Sequence, residues 1–416
     1  MSVIRVCGGR SLQGYIPISG AKNAVLKLMA AALMAPGSYV IRNVPAIQDV
    51  FTMVDLLETL GAKVDFKDSI LKILVGEEIG EEAPHDVVRK MRASIQVMGP
   101  LLARLKRVKV SLPGGCAIGE RPIDFHLKGL YQLGAKIHEE CGYIYAETKG
   151  LVGADIQLDY PSVGATENLM MAAALAKGTT QLRNVAREPE IVEVQNFLNR
   201  MGASIRGAGT DVIRIEGVDE LRGADHTVIP DRIEAGTYLI AAAICGGSVT
   251  LGPVIPQHLA GLTAKLKEIG IYIKTENDQI RVESDGKYTT SNFQSLPYPG
   301  FPTDLLPQAM ALMTTGIGTS IIKEMVYSNR FKQVSELRRM GAKIVVADRT
   351  AIVQGVPYLR GAEVVVSDLR AGAALVIAGL KAEGVTLIQD SGHLKRGYDN
   401  LVRKLQAVGA DISQPM

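Results

Sequence analysis

A glycine that returns at nearly constant spacing limits what this chain can fold into. A Leu-x-x-x-Gly-Ala segment, or a near variant of it, occurs six times in the 416 residues. The copies are Leu57–Ala62, Leu130–Ala135, Leu198–Ala203, Leu266–Ile271, Leu337–Ala342 and Leu405–Ala410. Their glycines lie 73, 68, 68, 71 and 68 residues apart, a drift small enough to mark an internal repeat. Each glycine ends a stretch with helical apolar spacing, such as Met53, Leu56, Leu57 and Leu60, and precedes a β-rich run. That pattern predicts a helix closed by a left-handed glycine cap and followed by a strand. Upstream in each copy a second helix runs into a strand, as from Ala30 to Asn43, Ala172 to Asn184, Ala241 to Gly252 and Leu375 to Gln389. The predicted unit is helix, strand, helix, strand, strand.

The sixth copy stops soon after Ile412, short of its closing strand pair. The N-terminal run Ile4-Arg-Val-Cys-Gly-Gly-Arg-Ser-Leu12-Gln-Gly14 resembles Ile213-Arg-Ile-Glu-Gly-Val-Asp-Glu-Leu221-Arg-Gly223, and Leu151-Val-Gly153 and Leu359-Arg-Gly361 echo its end. The beginning of the chain is therefore expected to complete the last copy. Three units would then form a domain over 21–229, and three a second domain over 1–20 plus 230–416. Two crossings, near Ala21 and Pro230, would make a hinge that a ligand between the domains could close.

Charge narrows the function. With 46 basic and 43 acidic residues the formal net charge is +3, without the basic block that a nucleic-acid binder needs. An anionic ligand must be gripped by a few placed cations. Cys7, Cys116, Cys141 and Cys245 are scattered and the six histidines dispersed, so no metal site is expected. The chain starts on a strand-like Val3-Ile4-Arg5-Val6 and its apolar runs are short, so neither a signal peptide nor a membrane span is expected. A reduced, cytoplasmic setting follows, and a monomer is the simplest expectation.

Polar residues gather at one equivalent place in the repeat, the turn into the first helix. It holds Lys22-Asn23, Arg92, Ser162 to Thr166, Asp231-Arg232-Glu234, Asp304 and Asp368-Arg370. Helix N-termini favour anions, and Ser162 and Asp368 also suit ordinary N-caps. Cations there are unfavourable alone, so Lys22, Arg92 and Arg370 point to a bound anion. The stretch Leu112-Pro-Gly-Gly-Cys116-Ala-Ile-Gly119-Glu-Arg121-Pro122 reads as a long irregular loop that can act as a lid. Its thiol, five residues from an arginine, is a candidate reactive group or a plain small hydrophobe. The other three cysteines sit in strand-like or Ala/Gly-rich apolar surroundings and read as structural.

Together the segments Ile18-Ser-Gly-Ala-Lys22-Asn23-Ala24, Met91-Arg92-Ala-Ser94, Pro113 to Asp124, Ser162-Val-Gly-Ala-Thr166 and Arg187-Glu-Pro-Glu190 resemble the UDP-N-acetylglucosamine 1-carboxyvinyltransferase family of enolpyruvyl transferases. Pro230-Asp231-Arg232-Ile-Glu234-Ala-Gly-Thr237, Pro299-Gly-Phe-Pro-Thr303-Asp304, Asn329-Arg330-Phe, Ser367-Asp368-Leu-Arg370 and His393-Leu-Lys-Arg396-Gly-Tyr398 carry the resemblance to the end of the chain. It implies an α/β protein of two inside-out α/β barrels, each of three units of about 70 residues, with the active site in a cleft between them. It implies no cofactor and two small-molecule partners, phosphoenolpyruvate and UDP-N-acetylglucosamine, in an addition–elimination that begins peptidoglycan synthesis. By the same resemblance Lys22, Asn23, Arg121, Arg330, Arg370 and Arg396 would hold phosphoenolpyruvate. Arg92, Arg121, Pro122, Ile123, Asp124, Phe125, Ser162, Val163, Gly164, Asp304 and Val326 would hold the nucleotide sugar. Cys116 would donate a proton to the C3 carbon and be the thiol that the epoxide fosfomycin alkylates, Asp304 would act as base or hydroxyl orienter, and Lys22 and Arg396 would be catalytic. Lys395 and Tyr160-Pro161 depart from the family pattern, and Glu188 and Glu190 have no role assigned by it.

The nearest alternative is the shikimate-pathway relative, 3-phosphoshikimate 1-carboxyvinyltransferase. It would be expected to lack both the Gly20-Ala-Lys-Asn-Ala24 form of the first motif and the Cys116 loop. Replacing Cys116 with serine should abolish labelling by the epoxide and most turnover, whereas Cys141→Ser should change neither. Mass spectrometry of the labelled protein tests this, and equal modification of both thiols would remove the assignment.

Overall fold

All six repeated glycines end their helices in the same way. Gly61, Gly134, Gly202, Gly270, Gly341 and Gly409 have φ of 97, 94, 109, 96, 94 and 94°. In each copy the glycine N–H donates to the carbonyl three residues back and the next N–H to the carbonyl five back, as in Gly61 to Glu58 at 3.0 Å and Ala62 to Leu57 at 2.9 Å. This double bond pattern satisfies carbonyls that a helix end otherwise leaves bare and turns the chain into the following strand. Around Gly134, Gly270 and Gly341 a Cβ would meet no atom within 4 Å, so φ rather than space demands glycine there.

The computed structural model describes residues 2–88, 91–112 and 123–414, without the side chains of Val87, Arg92 and Ala93. The expectations for Cys116, Arg121 and Pro122, and for the Arg92 side chain, fall outside the described residues. Contacts divide the described residues into two compact units, one over 20–88, 91–112 and 123–229, called the 20–229 unit below, and one over 2–19 with 230–414.

Both units follow one plan. Among the described residues each has three four-stranded sheets, in which the first pair of strands is parallel and the other two pairs are antiparallel. In the 20–229 unit, Gly37–Arg42, Arg107–Ser111 and Thr179–Arg183 are the long strands that follow the inner helices Lys22–Ala31, Met98–Leu105 and Val163–Ala173. In the other unit the corresponding helices are Arg232–Cys245, Leu306–Met313 and Leu369–Lys381. These three pack on one another, and nearly every residue along them is buried. Helices inside and sheets outside give the inside-out arrangement. It explains why the inner helices lack the polar face that a surface helix shows.

Three of the sheets also have a three-residue edge strand that the repeat reading did not foresee, Asp155–Gln157, Asp225–Thr227 and Glu363–Val365. Each of these three lies just after a Leu-x-Gly echo and runs parallel to the long strand of the neighbouring copy. A Cβ on Gly153, Gly223 or Gly361 would come within 2.3 Å of the carbonyl oxygen of Thr179, Ser38 or Val385. Close approach of that parallel strand is the physical reason for the echo. The N-terminal strands complete the second unit. Ser2–Cys7 lies between Val385–Asp390 and Asp411–Ser413, and Leu12–Pro17 pairs with Gly247–Gly252.

One cysteine differs from the sequence reading. Cys141 is exposed at the hairpin tip between Lys136–Glu140 and Tyr143–Glu147, with φ of 49°, rather than set in apolar surroundings. Cys245 does sit where burial pushes its thiol up to about 12, so it stays protonated and unreactive.

Gly341→Ala should cost about 1 kcal/mol of stability, because alanine resists left-handed geometry. Gly76→Ala, at an exposed glycine whose φ is not positive and whose Cβ would meet only the Glu78 oxygen at 3.7 Å, should be near neutral. Urea denaturation of the two variants tests this; equal midpoints would show that the cap geometry carries no energy.

Candidate active site

In the 20–229 unit the inner helices present their first turns with buried charge. Lys22 opens the helix Lys22–Ala31, and its Nζ lies 2.7 Å from Asp49 Oδ2 on the first turn of Gln48–Thr59. Both side chains are nearly buried. The cation therefore has a protein carboxylate beside it, which corrects the inference that its place demands a bound anion. Asn23 follows, and its carbonyl accepts a 2.6 Å bond from Lys27 Nζ. Lys27 in turn lies 3.3 Å from the buried Glu167 of the helix Val163–Ala173. Burial pushes the Glu167 carboxyl up to about 7; Lys27 opposes this, and Glu190 and Glu188 add to it.

The segments expected to hold a nucleotide sugar meet in the same unit. Ser162 caps the helix Val163–Ala173 by accepting from Ala165 N, and Thr166 Oγ1 bonds back to Ser162 O at 2.8 Å. Gln96 Nε2 donates to Gly164 O at 3.1 Å, and a Cβ on Gly164 would crowd Gln96 and His126 at 3.1–3.3 Å. His126 belongs to Asp124–Gln132, directly after Ile123, Asp124 and Phe125. Asn168 binds three parts together: its Oδ1 accepts from Gly99 N at 2.7 Å, and its Nδ2 reaches Ile95 O at 3.2 Å and His126 Nδ1 at 2.9 Å. With Nδ2 as the donor, His126 Nδ1 must accept, which assigns a neutral ring's proton to Nε2. Val163 and the backbone of Arg92, first in the turn Arg92–Val97, belong to the same inner-helix starts.

The other unit brings three expected residues into contact. Asp304, in the turn Thr303–Leu305, lies 2.6 Å from Arg330 Nη2 through Oδ1 and 3.0 Å from Arg370 Nη2 through Oδ2. Both guanidinium groups are buried, while Asp304 keeps 24% of its side chain exposed. Burial works against the Arg370 charge, but Asp304, Tyr398 and Asp231 outweigh it and raise the guanidinium further. Arg370 here also has a protein carboxylate for a partner. Asp368 caps its helix, accepting from Arg370 N and Ala371 N at 3.0 and 3.1 Å, and Asp231 caps Arg232–Cys245. Arg396 ends the turn Leu394–Arg396 and is partly exposed.

Several placing residues escaped sequence reasoning. Glu324, buried at the end of a strand, accepts from Val326 N, Tyr327 N, Ser295 Oγ and Thr303 Oγ1 at 2.6–3.0 Å, so one carboxylate sets both the Val326 turn and the Asp304 turn. A glutamate after a strand reads as a surface residue, so no local signal marks it. Asp49 lies in a first helical turn, where an acid is ordinary. Among the described residues no cluster of three or more His, Cys, Asp or Glu is placed to hold a metal, and no helix is long and apolar enough to cross a membrane.

Two units of three repeats, each with charged inner-helix starts, define an enolpyruvyl transferase fold. The chain belongs to the family whose model is described as EPSP synthase (3-phosphoshikimate 1-carboxyvinyltransferase), which matches residues 6–405. Within it, a protein of Symbiobacterium thermophilum named UDP-N-acetylglucosamine 1-carboxyvinyltransferase 1 is 55% identical over 415 residues, 98% of this chain and 94% of its own length. A protein of the same name from Caldanaerobacter subterraneus subsp. tengcongensis is 54% identical over 96% of both chains. The crystal structure of the enolpyruvyl transferase NikO from Streptomyces tendae superposes with a TM-score of 0.91 at 25% identity, covering 99% of this chain and 98% of that one.

The raised Glu167 carboxyl makes a prediction about pH. Its folded value of about 7 lies above the ordinary 4.5, so the stability it contributes is full below about pH 4.5 and is lost as pH rises through 7. The loss amounts to up to about 3 kcal/mol. Glu167→Gln should therefore show a smaller fall of Tm between pH 4.5 and 7.5 than the parent protein. Parallel Tm profiles from scanning calorimetry would show that Glu167 titrates alike in the folded and unfolded chain.

Proposed function

We propose that this chain transfers the enolpyruvyl group of phosphoenolpyruvate to the 3-hydroxyl of UDP-N-acetylglucosamine and releases phosphate, the step that commits the sugar to peptidoglycan. The observation that carries the reading is the pair of buried guanidiniums, Arg330 and Arg370, sharing the partly open carboxylate of Asp304. The two guanidiniums are cations already fixed in place beside a carboxylate that is part exposed. A small ligand bearing phosphate and carboxylate suits these cations, and arginine matches both groups bidentately. The names of the full-length relatives and the Lys22-Asn23 motif favour the nucleotide-sugar acceptor over shikimate 3-phosphate.

In the proposed reaction the sugar O–H bond breaks as its oxygen bonds to C2 of phosphoenolpyruvate and C3 gains a proton, so that the alcohol adds in net across the double bond and gives a tetrahedral ketal. Loss of a proton from C3 then re-forms the double bond as the C2–O bond to phosphate breaks, leaving the enol ether and inorganic phosphate. Asp304, held between two guanidiniums, accepts a hydrogen bond from the sugar hydroxyl and aims it. Lys22, Asn23, Arg330, Arg370 and Arg396 take the anionic groups. The segments 92–97, 123–126 and 162–168 receive the nucleotide.

Phosphate release with phosphoenolpyruvate should require UDP-N-acetylglucosamine and be absent with shikimate 3-phosphate; the reverse dependence would assign the chain to the shikimate branch. Asp304→Asn should keep the Kd for the nucleotide sugar within about threefold while kcat falls about a hundredfold or more, the scale of a lost positioning or proton-transfer group. If affinity falls and turnover survives, Asp304 is a binding residue only.

A further inference from the structure

The inner helices of the second unit meet at a hydroxyl for which neither the reaction nor the family resemblance names a use. Tyr398 follows the Leu394–Arg396 turn, is 4% exposed, and points its oxygen at all three inner helices. Thr237 Oγ1 lies 3.0 Å away, Gln308 Nε2 3.3 Å and Arg370 Nη1 3.3 Å, and each of these residues is buried as well. The guanidinium also lies over the Tyr398 ring, 5.6 Å from its centre.

Counting donors gives this cluster a single direction. Arg370 and the Gln308 amide nitrogen can only donate, so the Tyr398 oxygen accepts from them. Thr237 Oγ1 spends its own proton on Ile233 O at 2.8 Å and accepts from Gln308 Nε2 at 3.1 Å. The phenol proton therefore goes to Thr237. Burial, ahead of the opposing pull of Arg370, raises the Tyr398 hydroxyl, so it remains a protonated donor at neutral pH. The chain of bonds runs from Arg370 to Tyr398 to Thr237 to a helix carbonyl. It holds one arm of the guanidinium while Asp304 holds the other.

The same tyrosine ends the turn that bears Arg396. Tyr398 N donates to Leu394 O at 3.1 Å. At the other end Asp390, 1% exposed, accepts from Gly392 N, His393 N and Leu394 N at 3.0, 2.7 and 3.2 Å. The turn is thus clamped at both ends, and one clamp is the residue that orients Arg370.

We propose that Tyr398 is a positioning residue: through its hydroxyl it sets Arg370 in register with the turn carrying Arg396, so that both cations face one small phosphate-bearing substrate. This rests on the reading of that substrate as phosphoenolpyruvate. A phenylalanine keeps the buried ring and its face toward Arg370 but frees the guanidinium arm to rotate.

Tyr398→Phe should raise KM for phosphoenolpyruvate about tenfold, the worth of one charge-assisted hydrogen bond, with kcat and the Kd of UDP-N-acetylglucosamine within about threefold of the parent. Thr237→Val, which removes the acceptor of the phenol proton, should move KM in the same direction. Tyr288→Phe serves as the comparison. It removes another buried hydroxyl, bonded to Leu312 O and Thr315 Oγ1, and should lower Tm without changing KM. Titration calorimetry with phosphoenolpyruvate reads affinity independently of any acceptor. If the parent binds phosphoenolpyruvate but does not use UDP-N-acetylglucosamine, the proposed function fails, and the Tyr398 proposal is decided by binding alone. About tenfold weaker binding in Tyr398→Phe supports the proposal. Equal binding, or equal loss for both substrates, overturns it, and a parent protein that binds no phosphoenolpyruvate overturns both.

Discussion

A helix buried on every side has no water for its polar groups, and each unit is built around such helices. An unpaired charge in that position costs several kcal/mol, so the first turns of the inner helices exist only with partners attached. Lys22 meets Asp49, Lys27 meets Glu167, and Arg370 meets Asp304. Glu234 meets Lys404 at 2.7 Å and accepts from Ser19 N at the same distance. The inside-out plan forces these pairings, and the pairings in turn place the groups that a ligand can use.

The pairs are not alike. Lys22 meets the single carboxylate of Asp49, whereas Arg330 and Arg370 share Asp304, which stays part exposed. Glu167 and Glu234 differ again: burial pushes each carboxyl up to about 7 despite a lysine beside it. Such acids stand between their charged and neutral forms near neutral pH.

Binding energy spent on a small polyanion depends on the direction of each donor as much as on its charge. Glu324 sets two turns at once by accepting four bonds, and Asp390 with Tyr398 fixes the turn of Arg396. Long flexible cations would otherwise have to be ordered by the substrate itself. Orienting them in the folded chain lowers that entropic cost in advance.

The sequence alone determined everything that depends on residues a few positions apart. The glycine period set six helix ends, and those caps close through bonds to residues three and five back, so local spacing suffices. The N-caps Ser162 and Asp368 and the repeat order from helix to strand were legible for the same reason. The Leu-x-Gly echo was visible too, but its meaning was not, because the crowding strand at Thr179, Ser38 or Val385 lies elsewhere in the chain. Cations at helix starts could be picked out by type, yet their partners Asp49 and Asp304 stand 27 and 66 residues away from Lys22 and Arg370. The exposure of Cys141, the four bonds of Glu324 and the hydroxyl of Tyr398 were decided only by tertiary structure. Each follows from which distant segment packs against which, and no periodicity in one stretch of chain encodes that.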